Sequence, residues 1–82
     1  MSYTYERRVL EEKLLEIERD ILELEETIDN LDRLKVSKVY RIIGGKILVE
    51  YPGDKVLELL SDELDRLRAW RNKLVKQLSG ED

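Results

Sequence analysis

Residues 39–51 read Val39-Tyr40-Arg41-Ile42-Ile43-Gly44-Gly45-Lys46-Ile47-Leu48-Val49-Glu50-Tyr51. The stretch is rich in β-branched and aromatic residues, which suit a pleated, half-buried surface. Gly44 and Gly45 interrupt it at the middle and tolerate the positive φ that a two-residue hairpin turn demands. That turn pairs Ile43 with Lys46, Ile42 with Ile47, Arg41 with Leu48 and Tyr40 with Val49. One face of the ribbon then carries Tyr40, Ile42, Ile47, Val49 and Tyr51. The other carries Val39, Arg41, Ile43, Lys46, Leu48 and Glu50. Register and polarity agree, and a slip by one residue would scramble both faces.

Upstream, residues 4–34 contain no Gly and no Pro. Leu10, Leu14, Ile17, Ile21, Leu24, Ile28 and Leu31 recur at alternating steps of four and three. That is the heptad period, which keeps one narrow seam turned toward a partner helix. The helix would be roughly 45 Å long at 1.5 Å per residue. Downstream, Pro52-Gly53-Asp54 ends the strand, with Asp54 as the expected N-cap. Leu57, Leu60, Leu64, Leu67, Leu74 and Leu78 continue the heptad, with Arg71 at the seam position between Leu67 and Leu74. Gly80 is the expected helix stop.

The expected architecture is therefore mainly α. A helix over about 4–34, a hairpin over about 38–51 and a helix over about 54–79 form one domain spanning 1–82. Because the hairpin is tight, the helices run antiparallel as a coiled coil. Placing Leu31 opposite Leu57 puts Leu24 level with Leu64, Ile21 with Leu67, Ile17 with Arg71 and Leu10 with Leu78. The same register brings Glu18 near Arg68. It also sets residues 11–32, with ten acids and two bases, beside residues 66–76, with five bases and no acids.

Composition narrows the chemistry. The 82 residues include 15 Lys+Arg and 19 Asp+Glu, a net charge of −4. With 41% charged and 41% hydrophobic residues, the chain is too apolar for an acidic disordered tail and too charged for a membrane protein. Its longest apolar run is Ile47-Leu48-Val49, and MSYTYERRVL has no secretory core, so a cytoplasmic location is expected. There is no Cys and no His, which removes disulfides, Cys/His metal sites, thiol nucleophiles and His acid–base chemistry. No catalytic, cofactor or metal residue is expected. The basic run RLRAWRNKLVK around Trp70 resembles a nucleic-acid grip. It is better read as complementing a helix C-terminus and the acidic first helix, so no nucleic-acid partner is expected.

The hairpin poses the functional question. A lone two-stranded ribbon is marginal in water, and both of its edges are open. Its apolar face has no third strand in the chain to cover it. Hairpins from several chains would join into a β-barrel or sheet, with the coiled coils projecting. The expected oligomer interface is Tyr40, Ile42, Ile47, Val49 and Tyr51, around the turn glycines Gly44 and Gly45.

The order helix–hairpin–helix, with KVYRIIGGKILVE leading into LELLSDELDRLRAWRNKL, resembles the β-type subunit of prefoldin. Val39, Tyr40, Arg41, Gly44, Leu48 and Val49 occupy the places of that family's hairpin motif, and LEETIDNLDRL is similar to the end of its first helix. The resemblance implies an ATP-independent co-chaperone without cofactors. It implies a homo-oligomer, or a hetero-oligomer with an α-type subunit, that holds unfolded clients and passes them to a group II chaperonin. Clients would meet the free helix ends, where Tyr3, Tyr5, Val9, Leu10 and Leu78 lie. Both helices are shorter than the family's usual tentacles by several turns. The alternative is a small structural subunit that uses the same fold as a scaffold.

Overall fold

The computed structural model describes residues 3–80. Helix α1 spans Tyr3–Arg33, strands β1 and β2 span Lys38–Ile43 and Ile47–Pro52, and helix α2 spans Gly53–Ser79. The strands form a two-stranded antiparallel sheet between the helices. The molecule is an elongated rod of 49 × 28 × 16 Å.

The heptad seam forms as its spacing implies. Ile17, Ile21, Leu64 and Leu74 are the buried core, with Leu10, Leu14, Leu24, Ile28 and Leu67 packed against them. Every one of these residues lies on the 4-3 repeat. Two helices can bury only one narrow stripe between them, so the core is thin. Fully burying a Leu or Ile contributes about 1.5–3 kcal/mol, and a chain of this length is marginal on its own.

α1 stops without a glycine. The Val36 N–H donates to the Leu31 carbonyl at 3.2 Å and the Lys35 N–H to the Asp32 carbonyl at 3.2 Å, the two bonds of a Schellman motif. That geometry requires a left-handed residue, and Lys35 supplies it at φ 51°. α2 begins at Gly53, directly after Pro52, which is extended at φ −62° and ψ 142°. Pro52 rather than Asp54 precedes the helix. The Asp54 carboxylate accepts the Lys55 N–H at 2.9 Å from inside the first turn. The Gly53 N–H, orphaned at the helix start, donates to the Ser37 carbonyl at 2.9 Å and so ties α2 to the chain entering β1. At the far end Gly80, at φ 77°, closes α2 as expected.

The hairpin register differs from the two-residue expectation. Gly44 and Gly45 do take positive φ, 63° and 74°, and the Lys46 N–H donates to the Ile43 carbonyl at 3.3 Å. Lys46 then stays outside the ladder, and Ile43 pairs with Ile47, Ile42 with Leu48, Arg41 with Val49 and Tyr40 with Glu50. The extra loop residue moves β2 by one position and turns every β2 side chain to the opposite face. Two polar contacts accompany this register: the Tyr40 hydroxyl donates to Glu50 at 3.4 Å, and Lys38 lies 3.8 Å from Glu50.

Candidate interaction surfaces

The shifted register redistributes the expected interface. Tyr40 and Ile42 share a face with Leu48, whereas Ile47, Val49 and Tyr51 stand on the other face with Val39 and Ile43. The five residues assigned to one apolar face are thus split between two. Leu48, placed on the opposite side by the sequence reading, joins Tyr40 and Ile42.

The two faces differ in exposure. Val39, Val49 and Tyr51 are half-buried, and both strands contact α2. A groove between the hairpin and α2 is lined by Val39, Tyr40, Arg41, Ile42, Tyr51, Val56, Leu59 and Leu60, and so draws on β1 residues of both faces. The apolar residues of the other face stay largely exposed: Tyr40 is 59% exposed, Ile42 64% and Leu48 66%. Toward the turn, Ile43 and Ile47 are exposed as well. Scattered single apolar residues on a surface are ordinary, but these form a contiguous set on a two-stranded ribbon whose edges are open.

At the opposite end of the rod, Tyr5 and Val9 are exposed, while Leu10 and Leu78 are partly buried. The side chain of Tyr3, also expected there, lies outside the described residues. Arg7 donates to the Leu78 carbonyl at 2.9 Å and ties the two helix ends together. A cation at the last carbonyls of a helix is favourable both as a donor and toward the helix dipole.

Between the ends, Arg68 pairs with Glu25 at 2.7 Å. The expected neighbour Glu18 lies one heptad along α1 and instead lines a shallow groove with Ile21, Leu22, Glu25 and Arg71. Trp70 is held by Lys13, whose ammonium sits 4.9 Å from the ring centroid. That cation–π contact gives the aromatic of the basic run a place within the coiled coil. Among the described residues there is no cluster of His, Cys, Asp and Glu able to hold a metal ion, and no helix long and apolar enough to cross a membrane.

Comparison with curated proteins and with solved structures gave no match. A family model described as prefoldin subunit matches residues 2–80, nearly the whole chain. Two long helices joined by one antiparallel hairpin are the architecture of that family, and the chain belongs to it as a prefoldin subunit.

Proposed function

We propose that the chain is a β-type prefoldin subunit of the cytoplasm. It assembles through its hairpin, with copies of itself or with an α-type subunit, and holds non-native proteins for a group II chaperonin without using nucleotide. The observation that carries this reading is the uncovered apolar hairpin, with Ile42 and Leu48 each more than three-fifths exposed and directly paired. Burying that surface between chains would also support a core that is thin in the single chain. Tyr5 and Val9 at the free end supply the exposed apolar contacts that an adaptable, low-specificity grip requires.

A scaffold role is the second reading, and the same free end favours it. Leu10 already packs against the core, Leu78 is partly buried, and Arg7 bridges the helix ends. Little apolar surface remains for a client. Light scattering from a chemically denatured client, diluted into the protein without nucleotide, separates the two. A holdase suppresses aggregation at near-stoichiometric ratios; a scaffold subunit leaves the aggregation curve unchanged. Size-exclusion chromatography with multi-angle light scattering tests the assembly common to both, and a monomer at all concentrations overturns hairpin assembly by the chain alone.

A further inference from the structure

The groove between the hairpin and α2 touches four consecutive residues of β1, 39–42, and only Tyr51 of β2. Successive side chains of a strand point to opposite faces. A groove that borders all four therefore follows the outer edge of β1 rather than either face of the ribbon. Among the described residues β2 is the only strand paired with β1. The edge beside the groove thus keeps a row of N–H and C=O groups without ladder partners.

The α2 wall of the groove includes a residue that the coiled coil does not use. Leu57, Leu60 and Leu64 carry the seam, whereas Leu59 lies off it and is 51% exposed. Val56 and Leu60 beside it are half-buried. A single exposed leucine on a helix is ordinary. This one shares its groove with Tyr40 and Ile42, which are exposed too, at an open strand edge. Arg41 is the one charged residue bordering the groove, and it makes no ion pair among the described residues.

We infer that the first two turns of α2 belong to the assembly interface: β2 of a second copy pairs along the outer edge of β1, and its apolar side chains seat on Val56 and Leu59. The inference rests on the hairpin-assembly reading and extends it from the ribbon onto the helix. An open strand edge takes up an extended segment, and among the described residues the hairpin strands are the extended segments a copy can offer. Each strand has six residues, so one covers the other end to end. Charge selects β2. Its Ile47-Leu48-Val49-Glu50-Tyr51 brings apolar residues and one acid to a groove whose one charge is basic, whereas β1 would bring Lys38 and a second Arg41. Every copy then presents one edge and receives the other, a heterologous contact that repeats from chain to chain.

Leu59→Lys in the full chain tests the helix side without touching the ribbon. Lysine is a good helix former, and position 59 is exposed in the single chain. The variant should keep the parent's helicity and, in dilute solution where the parent is dissociated, its melting temperature. By size-exclusion chromatography with multi-angle light scattering, the protein concentration at half-dissociation should rise about tenfold or more, because the interface would bury an unpaired charge. Leu59→Ala, which removes the contact and adds no charge, should raise it several-fold. Leu22→Lys is the control, an exposed leucine on α1 away from this groove, and should leave the mass unchanged. An unchanged mass for Leu59→Lys while Ile42→Lys dissociates the oligomer overturns the α2 contact and leaves hairpin assembly standing. Equal dissociation by Leu22→Lys overturns it as an effect of added charge, and loss of helicity in Leu59→Ala overturns it as a structural role. A parent that is monomeric at every concentration rules out a second copy as the occupant, together with hairpin assembly by the chain alone.

Discussion

Gly53 stands directly against the main chain of Val36: a Cβ at Gly53 would lie 1.9 Å from the Val36 carbonyl oxygen. Its own N–H donates to the next carbonyl, that of Ser37. The last residues before β1 and the first residue of α2 are therefore packed backbone to backbone, closing the base of the hairpin. Gly53→Ala should destabilise the fold by about 3 kcal/mol, the upper part of the usual cost of overpacking, because main-chain atoms rather than a pliable side chain must move. Circular dichroism melting checks this, and a melting temperature equal to the parent's would show that the two segments are not in contact.

Lys35 supplies the opposite case, a position where glycine is missing. It holds φ 51° at the left-handed site of the Schellman motif ending α1. The left-handed conformation costs a non-glycine residue roughly 1–2 kcal/mol, part of which glycine gives back through its greater freedom in the unfolded chain. Lys35→Gly should therefore raise stability by about 0.5–1 kcal/mol, read as a higher urea midpoint with an unchanged slope. A lower midpoint would mean that Lys35 contributes something beyond its backbone angle.

Arg71 occupies a seam position yet has no ion-pair partner among the described residues; its groove companions are Glu18, Ile21, Leu22 and Glu25. Replacing a part-buried charge with an apolar residue of similar volume often stabilises. Arg71→Leu should add about 1 kcal/mol in denaturant melts and broaden the oligomer distribution, since a polar seam residue restricts register. By contrast, the Glu25–Arg68 pair is two-fifths exposed on each side. A double-mutant cycle there should return only about 0.5 kcal/mol. A strong loss on Arg71→Leu would reveal a specific role for its charge.

The coiled coil was legible because it depends on a long repeat. Seven positions on α1, spaced alternately by four and three, leave little freedom, and all four buried hydrophobic residues fall on the repeats identified from spacing. The hairpin depended on a single residue. Two glycines with positive φ fit a loop of two or of three residues equally, and whether Lys46 joins the ladder decides which face every β2 side chain takes. The apolar pairing favoured the shorter loop; Glu50, contacted by both Lys38 and Tyr40, accompanies the longer one. Gly53 was passed over for a related reason. Next to a proline it reads as part of a turn, and nothing local shows that a carbonyl from Val36 will press against it. The Arg68 partner was missed by one heptad, which is the natural ambiguity when every seventh residue presents a similar carboxylate.

The turn makes a further demand on its glycines. Gly45 sits at φ 74° with open space where a side chain would go, so any penalty there is conformational and not steric crowding by neighbours. A β-branched residue at positive φ is a genuine outlier. Gly45→Val should lower stability by about 1–2 kcal/mol, whereas Gly45→Asn, which tolerates the left-handed region, should cost much less. The two variants compared by thermal melting isolate the backbone angle from the loss of glycine as such. Equal melting temperatures for both would show that the turn does not hold Gly45 at positive φ.

The register also makes the assembly surface separable face by face. Ile42 and Leu48 are directly paired on the more exposed face, while Ile47 stands with the half-buried Val39, Val49 and Tyr51 on the other. If the more exposed face is the one buried between chains, Ile42→Lys and Leu48→Lys should each dissociate the oligomer, because an unpaired charge buried at an interface costs several kcal/mol. Ile47→Lys points to the other side near the turn and should weaken assembly far less. All three variants should keep most of their helicity, since the buried seam residues belong to α1 and α2 alone. Light-scattering mass with far-UV circular dichroism on each single variant gives the answer. Dissociation by Ile47→Lys with an intact Ile42→Lys oligomer would place the contact on the face of Val39, Val49 and Tyr51. Indifference to all three would remove the hairpin from the interface.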